Sequence, residues 1–227
     1  MKSLQLVCIF ASYLLSSTFS VSVAAPINTS SQDKGGAAEH PVASSSNVVP
    51  DEIRSLVNPT DTLLAYKTLD LIGDGKEDAV IIVRHPTTNS EQNPCELIVL
   101  RRLLHTFEIM DKSDSVVNCR YNNFAKYIAK NYDDLNQYLE LKPFEIEYNN
   151  IKPTGHDNYT FKFSQEKRAW YVSKIDISYS QSNHKNDAIE IIKELASYPK
   201  DFGWISMSTF NPDSLRGALS RNKIIVR

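Results

Sequence analysis

The sequence predicts an α+β protein that is mostly β, with antiparallel sheet or sheets, a few short helices and one Asp-rich loop. Three observations predict it. Residues 159–163 and 170–179 alternate apolar with polar side chains, the period of a strand with one buried face. Two apolar runs, residues 63–71 and 79–83, flank Asp74-Gly75, a dipeptide suited to a tight reversal. Helical spacing is confined to three short stretches, residues 50–57, 121–131 and 187–197.

The amino-terminal residues 1–24 read as a cleaved secretory signal. Lys2 carries their only charge, residues 4–15 are apolar, and Ser22-Val23-Ala24 supplies small residues for cleavage. The apolar part is shorter than the roughly 20 residues a spanning helix needs, so no stable membrane anchor is expected and the chain is expected to be periplasmic or secreted. Residues 25–48 are rich in Ser, Ala, Asn and Gly and lack large apolar side chains. They are expected to be a disordered leader. Residues 49–227 have the size of a single domain.

Within that domain, Pro50 and the acids Asp51 and Glu52 open a short helix that Asn58-Pro59 stops. Strands are expected over 62–71 and 79–84, the Asp-rich loop joining them, followed by a polar loop over 85–94. Cys95 opens a strand over 96–100, and 107–110 forms another. A helix from Tyr121 is expected to end near Asn131, with two strands, 138–142 and 144–148, meeting at Lys142-Pro143. After a loop over 149–157 come the strands 159–163 and 170–179. The change of inward parity between Val172 and Ile175 implies a bulge. Residues 187–197 are expected to be a helix, with Ile189, Ile192 and Ala196 on one side and Glu190 near its start. Short strands are expected over 204–210 and 223–226.

Lys and Arg number 25 against 27 Asp and Glu, a net charge of −2, and removal of Lys2 makes the exported chain more acidic still. That balance argues against a nucleic-acid partner, which needs a basic surface. Beyond the leader two cysteines remain, Cys95 and Cys119. In an oxidising compartment they form a disulfide; in a reducing one they are buried thiols. Catalytic motifs are absent. The five histidines, His40, His85, His105, His156 and His184, have no metal-ligand spacing. Glu145 and Glu147 read as a solvated strand face, and Arg101-Arg102 as a strand-end surface feature.

Residues 70–78 carry the most chemical definition. Asp70, Asp74 and Asp78 occupy the first, fifth and ninth positions of the loop, with the Lys76 carbonyl available at the seventh. Calcium takes its oxygen ligands from loops of this kind, but Ile72 stands where a third-position ligand belongs. The stretch therefore reads either as a weakened calcium site or as a plain Asp-Gly turn with solvated carboxylates.

This loop, with the preceding Leu-Ala-Tyr-Lys-Thr-Leu, resembles the Asp-Leu-Asn-Gly-Asp-Gly loop of FG-GAP/VCBS-type secreted bacterial proteins. Asn93-Pro94-Cys95, Phe161-Lys-Phe163 and Trp170-Tyr-Val-Ser-Lys-Ile175 extend the resemblance to small exported bacterial proteins over residues 62–178. The resemblance implies a mostly antiparallel β fold and calcium at Asp70, Asp74 and Asp78. One branch consists of periplasmic immunity proteins that inhibit lysozyme-like peptidoglycan hydrolases. The expected function is thus that of an exported, non-enzymatic protein that binds another protein as an inhibitor or immunity factor, offering loops 84–94 and 149–158. The alternatives are a secreted hydrolase with an acidic, calcium-dependent site and a structural calcium-binding module.

Overall fold

A computed structural model describes residues 49–86, 94–119, 132–183 and 188–226. Neighbouring strands pair in sequence order and form two antiparallel sheets. The first contains β1 (Thr62–Leu69), β2 (Asp78–Arg84), β3 (Cys95–Arg102) and β4 (Phe107–Ser113), in that order. The second runs from β5 (Leu139–Lys142) through β6 (Glu145–Lys152), β7 (Gly155–Ser164), β8 (Ala169–Ser182) and β9 (Ile189–Ser197) to β10 (Lys223–Val226). Helical structure among the described residues is short: α1 (Asp51–Arg54), α2 (Arg216–Arg221) and 3-10 turns at Tyr132–Tyr138, Met207–Thr209 and Pro212–Leu215. The α+β, mostly β expectation holds at this level.

The composition of β2 follows from its position. Six consecutive residues, Asp78 to Val83, are buried. Val80 and Ile82 face the main core with Leu97, Val99, Phe161 and Trp170, whereas Ala79, Ile81 and Val83 face a second cluster with Ile53 of α1, Ile98, Leu100 and Phe107. A strand covered on both faces carries a continuous apolar run. The molecule therefore stacks α1 on the first sheet and that sheet on the second. In the second sheet β6 alternates buried with half-buried residues and β9 buried with mostly exposed ones, as a sheet with one wetter face requires.

The expected bulge is present. Thr160 pairs with Lys174 and Phe161 with Val172, leaving Ser173 as the extra residue on β8. Its hydroxyl donates to the Thr160 carbonyl at 3.1 Å. This shift of parity turns Trp170, Val172 and Ile175 all inward, each fully buried.

Three expectations are corrected. Residues 187–197 are not helical: Ile189–Ser197 is β9, paired with β8 from Ser182↔Ile189 to Lys174↔Ser197. Its β-branched isoleucines and the need of β8 for a neighbour outweigh the helical spacing. Glu190, 5 % exposed, accepts from Asn183 Nδ2 at 2.8 Å instead of capping a helix. Residues 149–157 are not a loop but the arms of the β6–β7 hairpin, which reverses between Lys152 and Gly155. Residues 204–210 hold a single bridge, Ser206 to Tyr171, and a 3-10 turn in place of a strand. The expected helix over 121–131 and most of the expected loop over 85–94 lie outside the described residues.

Cys95, at the start of β3, is disulfide-bonded to Cys119 beyond β4, with their Cα atoms 5.8 Å apart. Closing a loop of 24 residues' separation is worth about 3 kcal/mol by the chain-entropy relation. The Cys95→Ser/Cys119→Ser variant is expected to lose that amount in a urea unfolding curve, with an m-value no smaller than that of the native chain because the freed unfolded state is less compact. A loss below about 1 kcal/mol would show that the bridge adds little to the sheet.

Candidate functional site

The Asp-rich loop joins β1 to β2, closed by the Leu69↔Asp78 pair. Its three carboxylates are held mainly by main-chain N–H groups. Asp70 Oδ1 accepts from Gly73 at 2.8 Å and Asp74 at 3.1 Å, and its Oδ2 accepts from Gly75 at 3.0 Å. Asp74 Oδ1 accepts from the Lys76 N–H at 3.2 Å, while its Oδ2 meets Arg101 Nη2 at 3.2 Å. Asp78 is 1 % exposed; its Oδ2 accepts from Leu71 at 3.1 Å and its Oδ1 from Arg102 at 3.0 Å. Burial pushes the Asp78 carboxyl up from its ordinary pKa, against the opposing pull of those N–H donors. Gly73 and Gly75 have φ of 74° and 79°, the left-handed region that allows the chain to curl around Asp70.

The loop also docks against the second sheet. The Phe144 N–H, in the β5–β6 turn, donates to the Leu71 carbonyl at 2.8 Å, and the Phe163 N–H donates to the Phe144 carbonyl at 3.0 Å. Phe144 has φ of 63°, an uncommon conformation for a bulky residue that these two bonds help to hold. A Cβ on Gly73 would sit 2.7 Å from the Phe144 ring. Arg101 and Arg102 complete the arrangement: Arg102 Nε donates to the Glu77 carbonyl at 3.2 Å, its Nη1 meets Glu52 of α1 at 3.0 Å, and its guanidinium lies 4.1 Å from the Phe107 ring centroid. The structure thus brings Asp70, Asp74, Lys76 and Asp78 into one loop and adds Phe144, Arg101 and Arg102, which the sequence reading did not assign to it. The arginines were legible through register, because Ala79↔Leu100 pairing sets the next two residues of β3 beside Asp78 and Glu77.

As placed, the loop's three carboxylates are engaged by hydrogen bonds. Calcium takes roughly six to eight oxygens around one point, and among the described residues no three His, Cys, Asp or Glu side chains are grouped to hold a metal. The carboxylates instead satisfy the loop's own N–H groups, the arrangement of a self-supporting turn.

Other polar groups are also engaged. His85 lies between Asp61, at 2.9 Å, and Glu96, at 3.5 Å, and Glu96 also meets Lys112 at 3.1 Å. A shallow recess of about 330 Å³ between β1 and β5 holds Lys67 and Glu140. Lys67 donates to the Leu139 carbonyl at 2.6 Å, and Glu140 pairs with Lys142 at 3.2 Å. Glu145 and Glu147 join that Lys142 network on the exposed face. At the surface of β8, Tyr171 stacks on Trp204 with centroids 4.4 Å apart, Tyr198 meets both edge-on, and Lys167 Nζ lies 4.1 Å from the Trp204 ring centroid.

The least satisfied surface lies at the far edge of the second sheet. Ile189, Ile191, Leu195, Ile224, Ile225 and Val226 are exposed there, Ile189 by 75 % and Ile224 by 60 %. No helix among the described residues is long and apolar enough to cross a membrane. No family model, curated protein or solved structure matches the chain.

Proposed function

We propose that this is an exported, non-enzymatic protein that binds another protein, and that it serves as an inhibitor or immunity factor against a lysozyme-like peptidoglycan hydrolase. The observation that supports this reading best is the row of exposed aliphatic side chains on β9 and β10. Soluble monomers rarely expose large contiguous apolar patches, and those that do so commonly bind a partner there. The Cys95–Cys119 bond suits an oxidising compartment and agrees with the signal read in residues 1–24. The resemblance to FG-GAP/VCBS-type exported proteins supplies the class of target. The mode of action is steric: a disulfide-tied, double-sheet body meets its target with little loss of freedom on binding.

The hydrolase alternative has less support, because the carboxylates it would use, Asp70, Asp74 and Asp78, are occupied by loop N–H groups. The test is a pull-down from periplasmic extract followed by a wall-hydrolysis assay. Recovery of a lysozyme-like enzyme whose turnover falls stoichiometrically with added protein is the expected result. Wall cleavage by the pure protein itself would overturn the reading.

For the loop, we propose that it stands without an ion. Titrating calcium into chelator-treated protein is expected to release no binding heat and to leave the Tm unchanged. A saturable heat with a Tm rise above about 3 °C would put calcium at Asp70, Asp74, Asp78 and the Lys76 carbonyl instead.

A further inference from the structure

A sheet edge presents N–H and C=O groups that lack a neighbouring strand. Two such edges face each other here. Strand β1 is the outer strand of the first sheet and β5 the outer strand of the second, and no ladder joins them. Between them lies the recess of about 330 Å³, lined by Tyr66, Lys67, Thr68, Leu69, Glu140 and Leu141. Its volume is at the small end of the range for ligand pockets, roughly 300–1,000 Å³.

Strand geometry says which groups the recess offers. Along an antiparallel strand each residue turns its N–H and C=O to one side, and the side alternates. The Tyr66 N–H is turned away from β2, to Asn136 Oδ1 at 2.9 Å, so Thr68, two residues on, turns its main-chain groups the same way. The Leu139 carbonyl is turned away from β6, to Lys67 Nζ at 2.6 Å, so Leu141 also turns its main-chain groups toward the recess. Leu69 and Leu141 pack against the main core and give the recess an apolar floor.

Two features narrow the choice of occupant. Both ends are bridged: Lys67 crosses to the Leu139 carbonyl at one, and the Phe144 N–H donates to the Leu71 carbonyl at 2.8 Å beyond the other. A chain therefore cannot run through between the edges, and only an end of one can enter. Charge decides which end. Lys67 is half-buried, its ammonium has three N–H groups to place, and among the described residues it donates to a carbonyl and pairs with no carboxylate. Glu140, at the rim, is drawn instead to Lys142 at 3.2 Å. A half-buried cation without a counter-ion favours an anionic ligand.

We propose that the recess between β1 and β5 captures the carboxyl terminus of an extended segment of a partner protein. The terminal carboxylate meets the Lys67 ammonium, the last amides bond to the main chain of Thr68 and Leu141, and an aliphatic last side chain lies on Leu69 and Leu141. This rests on the protein-binding reading above and adds to it the chemistry of the segment recognised.

The test uses the full exported chain and two amino-terminally fluorescein-labelled peptides of sequence Gly-Ser-Thr-Thr-Val-Thr-Val, one ending in a free carboxylate and one in a carboxamide, by anisotropy at low salt. The carboxylate form is expected to bind at least about tenfold more tightly and to slow hydrogen exchange at the Thr68 and Leu141 amides. Lys67→Met keeps the apolar stem and is expected to bind the two forms equally, whereas Lys67→Arg is expected to retain the preference. Equal binding of both forms by the native chain, or of neither, overturns the proposal. So does binding that leaves exchange at Thr68 and Leu141 unchanged, a readout that depends on no variant. If Lys67→Met inhibits the hydrolase as well as the native chain does, capture in the recess fails while the inhibitor reading stands.

Discussion

Gly155→Ala is expected to destabilise the protein by about 4 kcal/mol, or to prevent folding outright. Gly155 opens β7 and pairs with Lys152 on one side and Tyr179 on the other. A Cβ built there would overlap the Ser178 carbonyl oxygen and lie 2.6 Å from Tyr179 Cα. Both obstacles are backbone, so no rotamer change relieves them. The longest strands of the second sheet would have to separate at this end, where the Ser180 N–H donates to the Thr154 carbonyl at 2.7 Å. At this chain length a loss of that size lowers the Tm by roughly 12 °C. Gly203→Ala is the control: nothing lies within 4 Å of a Cβ there, and its effect is expected to stay within about 0.5 kcal/mol. A loss below about 1 kcal/mol in Gly155→Ala would show that β7 and β8 are not packed as described.

Asp78→Ala is expected to cost about 3 kcal/mol. The substitution removes the acceptor for the Leu71 and Arg102 N–H groups and leaves one buried and one half-buried donor without that partner, a fully buried one being worth roughly 1–3 kcal/mol of desolvation. Asp78→Asn keeps one acceptor oxygen and is expected to recover part of the loss. The pH dependence has a definite sign. Burial raises the Asp78 pKa in the folded chain above its unfolded value, so the folded state binds the proton more readily in the window just above the ordinary carboxylate range. Stability from this group is therefore gained as pH falls through that window and lost as pH rises through it. Urea midpoints taken from about pH 7 down to about pH 4 are expected to improve for the native chain relative to Asp78→Asn. A difference that shrinks toward acid would mean that the hydrogen bonds to the ionised form outweigh its burial.

Much of the fold was legible because it follows local rules. The Val- and Ile-rich run over 79–84 marked a strand, and the parity change after Val172 marked the bulge. The Cys95–Cys119 bond followed from an isolated pair of cysteines. Strand β9 was misread because Ile189, Ile192 and Ala196 fit helical spacing as well as a strand with isoleucine on both faces, and only its pairing with β8 decides between them. The carboxylates of the Asp-rich loop were legible, but their role as a joint between sheets was not. That role depends on Phe144, some seventy residues later in the chain, and no local pattern announces its contact with Leu71 and Gly73. The exposure of β10 was hidden for a similar reason: a strand over 223–226 was legible, but only the sheet order places it at the edge of the second sheet.

The unbroken succession of neighbouring strands also bears on how the molecule is made. Nothing in the first sheet waits for residues later in sequence to fill a gap between its strands, so β1 to β4 can pair before the second sheet forms. The second sheet then grows hairpin by hairpin from β5 to β9, each step closing a short loop, whereas β10 joins β9 only after the longer connection over residues 198–222.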